Sequence, residues 1–170
     1  MKKLLLFVAL LAINISFGQE SLTIDWPKEA KLKIASDQAD GPTHMVELIP
    51  EKETFENWTL MGNMMAIKGV KVQNTAQIAE LFKQSALQNA PESKMTIIES
   101  DDTVKNIWVL FKIESPKFND DPNPESQLYY AIQGDESLHV NFIAIKKKKL
   151  DDTFIEKWSK VFKASQLVKG

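Results

Sequence analysis

Residues 105–114, KNIWVLFKIE, place Ile107, Val109, Phe111 and Ile113 on one side of an extended chain and Trp108 and Leu110 on the other. Successive strand side chains point to opposite faces, so a run that is apolar at both parities belongs to a strand covered on both sides. Such a strand needs sheet neighbours and further layers, and the flanking sequence supplies them. KMTIIES (94–100) precedes it and forms the first arm of a hairpin. QLYYAIQ (127–133) and LHVNFIAIK (138–146) flank the turn GDES as a second hairpin, with Leu138, Val140, Phe142 and Ala144 facing inward.

Upstream of 94 the period changes. In NTAQIAELFKQSALQNAP (74–91), Ile78, Leu81, Phe82 and the pair Ser85 and Ala86 recur at helical spacing, with Asn74 and Gln77 as a cap pair and Pro91 as the stop. Before this helix, ETFENWTLMGNMMAIKGV (53–70) carries Trp58, Leu60 and Met64 on one face and Met61, Met65 and Ile67 on the other, the mark of a central strand. THMVELIP (43–50) is a strand that Pro50 ends, DQADGP (37–42) a turn cluster, and LTIDW and KLKIA two brief edge strands separated by Pro27. From Thr153 to about Leu167, Phe154, Ile155, Trp158, Val161, Phe162 and Ser165 form one helical stripe. Strands, helix, strands, helix predict an α+β fold: an antiparallel sheet packed with one mid-chain and one C-terminal helix.

The tripeptide DDT occurs twice, at 101–103 and 151–153. Two adjacent carboxylates serve acid–base chemistry only where burial or repulsion separates their pKa values, and exposed turns provide neither. Asp101 and Asp102 sit between two strands and read as a hairpin loop. Asp151 and Asp152 precede a helical stripe, where Thr153 and Glu156 fit a capping box and the acids oppose the helix dipole.

The chain opens with MKKLLLFVALLAINISFGQE, in which Lys2 and Lys3 precede an apolar run and a small-residue exit at Ser16 and Gly18. This predicts a signal peptide cleaved after Gly18, leaving 19–170 as a single exported domain, periplasmic or extracellular, and not an integral membrane protein. The chain contains no Cys, which excludes disulfides, thiol chemistry and thiolate metal sites. Without Lys2 and Lys3, 19 basic residues face 23 acidic ones, a net charge of −4. Every basic residue is Lys; with no Arg to form bidentate contacts, nucleic acid is not the expected partner.

Few side chains offer chemistry. His44 and His139 are the only histidines, each on a predicted strand with polar neighbours, and neither G-x-S-x-G nor H-E-x-x-H occurs. Met61, Met64 and Met65 cannot converge on a soft metal, since Met64 points away from the other two, so they read as core. NDDPNPE (119–125) has the odd-numbered oxygen spacing of a calcium loop, but Pro124 replaces the required Gly and Tyr130 the closing Glu. No catalytic, cofactor or metal-ligating residue is therefore assigned. The candidate partner-binding residues are Asn119, Asp120, Asp121, Asn123 and Glu125, from a loop longer than a strand connection requires, and Lys146, Lys147, Lys148 and Lys149, a salt-sensitive patch for an acidic partner or anionic headgroups.

In this order the strings MVELIP, ETFENWTLMGNM, IWVLFKIE, PESQLYYAIQG and FIEKWSKVFKAS resemble the PsbP-like fold of the lumenal photosystem accessory protein and of small exported bacterial proteins. The resemblance spans nearly all of the chain after the leader and carries no site residue with it. It implies accessory and partner-binding roles, hence an exported binding domain for a protein or small ligand. The alternative is a hydrolase-type enzyme whose Asp, His and Ser groups meet only on folding. That alternative nearly vanishes if neither His comes within hydrogen-bond reach of a carboxylate or Ser inside a concave pocket.

Overall fold

The alternation around Phe111 builds one of the inner strands of a seven-stranded antiparallel sheet. A computed structural model describes residues 20–169; the predicted leader, 1–18, lies outside them. In chain order the strands are β1 (Ser21–Thr23), β2 (Leu32–Asp40), β3 (Thr43–Pro50), β4 (Leu60–Lys68), β5 (Lys94–Asp101), β6 (Trp108–Ser115), β7 (Glu125–Gln133), β8 (Ser137–Ile145) and β9 (Gln166–Val168). The helices are α1 (Thr75–Asn89) and α2 (Asp152–Lys163). Spatial order in the large sheet is β2-β3-β4-β8-β7-β6-β5, while β1 and β9 pair as a separate ribbon. A meander β2–β4 runs to the middle, α1 carries the chain to the far edge, and β5–β8 return until β8 pairs with β4.

Both faces are covered, each by its own helix. Val109, Phe111, Tyr129, Ala131, Leu138 and Val140 pack with Ile78 of α1. The alternate positions, Leu110, Leu128, Tyr130, Ile143 and Ile145, pack with Trp158 and Phe162 of α2. Burying a side chain such as Phe162 contributes about 1.5–3 kcal/mol, which gives α2 a reason to dock that its own helical propensity does not. The N-terminal segment completes the α2 layer: Ile24 is buried there, and Trp26 packs beside Trp158 and Phe162 and over Gly62, where an added Cβ would come within 2.9 Å of the indole.

Several sequence expectations need correction. DQADGP is mostly strand: β2 runs through Asp40, and only Gly41 and Pro42 turn, Gly41 at φ +55 as a two-residue hairpin requires. Trp58 precedes β4 rather than lying within it, and packs on Ile49 and Ala144 in the α1-side layer, opposite to Leu60 and Met64. The final helix stops at Lys163, because 166–168 leave it to pair with β1. The cap of α2 is Asp151, whose carboxylate accepts from Phe154 N–H at 2.8 Å, while Thr153 Oγ1 donates to that same carboxylate at 2.6 Å. Asp102 does more than close a hairpin: it accepts from Thr75 N–H at 2.8 Å and Thr75 Oγ1 at 3.0 Å, capping α1 from across the fold. Asp101 keeps the local role, accepting from Thr103 N–H at 2.8 Å.

Candidate functional site: a cleft under the N-terminal segment

On the α2 side of the sheet, the helix covers Ile143 and Ile145 of β8, and the same face continues to Asn141 and His139 beyond it. Two register rows cross this region. His44, Ala66 and His139 share one row across β3, β4 and β8, and Val46, Met64 and Asn141 share the next. The short Ala66 side chain makes a low floor between the two imidazoles. Glu20, Ser21 and Leu22 form one wall, enclosing with these rows an open cleft of about 250 Å3.

Glu20 is 4 % exposed and His139 2 %. The carboxylate accepts from His139 Nε2 at 3.2 Å, from Asp135 N–H at 2.7 Å and from Glu136 N–H at 3.3 Å. It fits because residue 134 is Gly; a Cβ there would lie 1.9 Å from Glu20 Oε1. Burial pushes the Glu20 pKa upward, but the two backbone N–H donors and His139 outweigh it and hold the carboxyl below its ordinary value. Burial also lowers the pKa of His139, against the pull of Glu20. The pair is thus a carboxylate and a neutral imidazole. A carboxylate can only accept, so Nε2 carries the proton and Nδ1 is left as the acceptor.

His44, at the cleft's outer rim, is hydrogen-bonded through Nε2 to Asp37 at 2.7 Å. Asn141 lies between the apolar and polar parts of the cleft, 1 % exposed, and its Nδ2 has no hydrogen-bond partner among the described residues. A buried donor left unpaired costs about 1–3 kcal/mol, so this amide is a place where a ligand oxygen would be rewarded. Among the described residues no three His, Asp or Glu side chains gather as a metal-binding group, and no helix is long and apolar enough to cross a membrane.

The residues singled out from the sequence lie at the opposite end of the sheet. There the loop before β7 and the lysines after β8 are neighbours, since Ser126 pairs with Ile145. Asn119 works for the fold: its Nδ2 donates to Gln88 O at 2.8 Å and its N–H to Asn89 O at 2.9 Å, closing the C-terminus of α1. Asp121 accepts from Asn123 N–H at 2.8 Å in a local turn, and Asp120 is exposed. Glu125 is half-buried and accepts from Gln127 Nε2 at 2.5 Å; burial raises its pKa. Lys146 lies 4.6 Å from the Trp58 ring centroid and Lys147 lies 3.9 Å from Asp151, while Lys148 and Lys149 are exposed.

Sequence reasoning missed Glu20 and Asn141. The plainly apolar parity of β8, Leu138, Val140, Phe142 and Ala144, reads as the inward face and leaves Asn141 without an assigned role. Ile143 and Ile145 continue the face of Asn141, and their presence is the signal that it is buried. Nothing near Glu20 announces it, since its partners are more than a hundred residues away.

No protein-family model matches the chain, and no curated protein matches it significantly.

Proposed function

We propose that this is an exported binding domain without catalytic chemistry, acting in the bacterial cell envelope or outside it, whose cleft holds a small, neutral, largely apolar molecule bearing a hydrogen-bond acceptor. The carrying observation is the buried, unpaired Asn141 Nδ2 in a cleft walled by Leu22, Val46 and Met64. An acceptor on the ligand would take the amide proton, and the apolar walls would take its body. The ionised Glu20 beside a neutral His139 disfavours an anion. The leader-like N-terminus supports export, and the resemblance of the sequence strings to the PsbP-like fold supports an accessory role rather than a reaction. The test is native mass spectrometry of the protein purified, without denaturation, from cells that express it naturally. A single bound mass, lost in Asn141→Leu with the fold intact, is expected; a protein that is always bare, or a mass that the substitution leaves in place, would contradict the proposal.

A hydrolase is the second reading, and one observation favours it: both imidazoles face the cleft and each is held by a carboxylate, His139 by Glu20 at 3.2 Å and His44 by Asp37 at 2.7 Å. Carboxylate-oriented imidazole is the base half of a hydrolytic site. The nucleophile half is weaker. Ser21 borders the cleft, yet among the described residues no Ser hydroxyl is hydrogen-bonded to either His. Turnover of a p-nitrophenyl ester that falls at least a hundredfold in His139→Gln would move the protein into this class.

A further inference from the structure

The opposite face of the sheet has a cavity of its own. Phe82 of α1 packs on Phe111 and Tyr129, but the same sheet face continues through Phe142, Met65 and Met45, toward the edge away from the helix. Between that stretch and α1 lies a cavity of about 200 Å3, lined by the rings of Phe82, Tyr129 and Phe142, the two thioethers, Asn63 and four further polar side chains. An apolar cavity of about 150 Å3 suffices for benzene.

Asn63 is 1 % exposed, and its Oδ1 has no hydrogen-bond partner among the described residues. The Tyr129 hydroxyl lines the same cavity but does not serve it: it donates to Gln127 Oε1 at 2.6 Å, and Gln127 in turn donates to Glu125. The cavity therefore offers one unpaired buried acceptor beside aromatic faces and sulfur, with a polar side that includes Ser85 and Ser115. The Tyr129 ring centroid lies 5.5 Å from that of Phe82 and 5.0 Å from that of Phe142, with all three rings tilted. Rings at such angles leave edge and face positions for another ring, and Met sulfur contacts aromatic edges favourably.

We infer that this cavity is a second binding site, for a planar aromatic molecule of one or two fused rings that donates one N–H or O–H to Asn63 Oδ1. The cleft around Asn141 opens on the other side of the sheet, and Met65 borders both. The matched probes are indole and indene, which have nearly the same shape and differ in the N–H donor. In a titration of the 15N-labelled protein, indole is expected to give saturable shifts at the Asn63 side-chain amide, Ala86 and Phe142, and indene to bind about tenfold more weakly. Asn63→Leu should erase the difference while retaining indene binding, because it removes the acceptor and keeps the volume. Ala86→Phe should fill the cavity and abolish both; if that chain does not fold, the Asn63→Leu comparison decides alone. Equal affinity for the two probes in the unaltered protein would overturn the inference, as would absence of saturation or shifts confined to Ser21, His44 and Asn141.

Discussion

Gly134 and Glu20 form the tightest fit in the cleft, and each yields a measurable expectation. Gly134→Ala would drive a methyl to 1.9 Å from the carboxylate, so Glu20 must withdraw, and a loss of about 1–3 kcal/mol in urea unfolding is expected. Glu20→Ala strips the acceptor from Asp135 N–H, Glu136 N–H and His139 Nε2. It should cost a similar amount, about 1–3 kcal/mol. The pair also sets the response to acid. The His139 pKa is depressed below its ordinary 6.5, so just below that pH the unfolded chain binds a proton that the folded imidazole refuses, and stability falls. Glu20, depressed from 4.5, adds its own loss only as pH drops below that value. Chemical unfolding followed from pH 7.5 to 5 should show the first decline, and His139→Gln should flatten it; an unchanged slope would mean that folding does not depress the His139 pKa.

Helix starts are where the sequence is most nearly legible: Asn74 caps α1 by accepting from Gln77 N–H, as their spacing predicts, while the cap of α2 is Asp151, two residues before Thr153. The repeated DDT is punctuation in both places, as its exposure in turns implied, but the working oxygen differs: the second carboxylate, Asp102, in the first copy and the first, Asp151, in the second. Local spacing identifies a helix start to within two residues; which acid reaches the free N–H depends on backbone angles that the tripeptide does not specify. Asp151→Ala should destabilise by about 0.5–2 kcal/mol and Asp152→Ala by less, and Asp102→Ala should exceed Asp101→Ala. Urea midpoints of the four variants give the comparison, and the reverse order in either pair would contradict the assigned caps. The period-2 and period-3.6 patterns, by contrast, carried their elements well: both hairpins, the central β4 and the two helices follow the parities of Ile78, Phe111, Val140 and Trp158. Strand β9 was not legible because three residues pairing with β1 have no period of their own.

At the scale of the whole molecule, the segment from Glu20 to Trp26 joins fold to site. It seats a carboxylate on the β7–β8 turn, buries Leu22 and Ile24, pairs with the strand that follows α2, and lays Trp26 on Gly62. The α+β class could be read from the chain because it rests on local periods. The cleft could not, because it is made by contacts between residues 20–22 and 135–141, which only the folded chain brings together. Substituting Leu22 and Ile24 together by Ser should therefore lower the unfolding midpoint, and it should also abolish binding in the Asn141 cleft while leaving the dispersion of α1 amide signals intact. The most direct measurement of the central claim is an NMR titration of the unaltered protein with a neutral cyclic amide, N-methylpyrrolidinone, against the matched anion cyclopentanecarboxylate. The account predicts saturable shifts of the Asn141 side-chain amide, Ser21 and Ala66 with the amide and weaker ones with the anion; stronger binding of the anion, or an Asn141 amide that responds to neither, would contradict it.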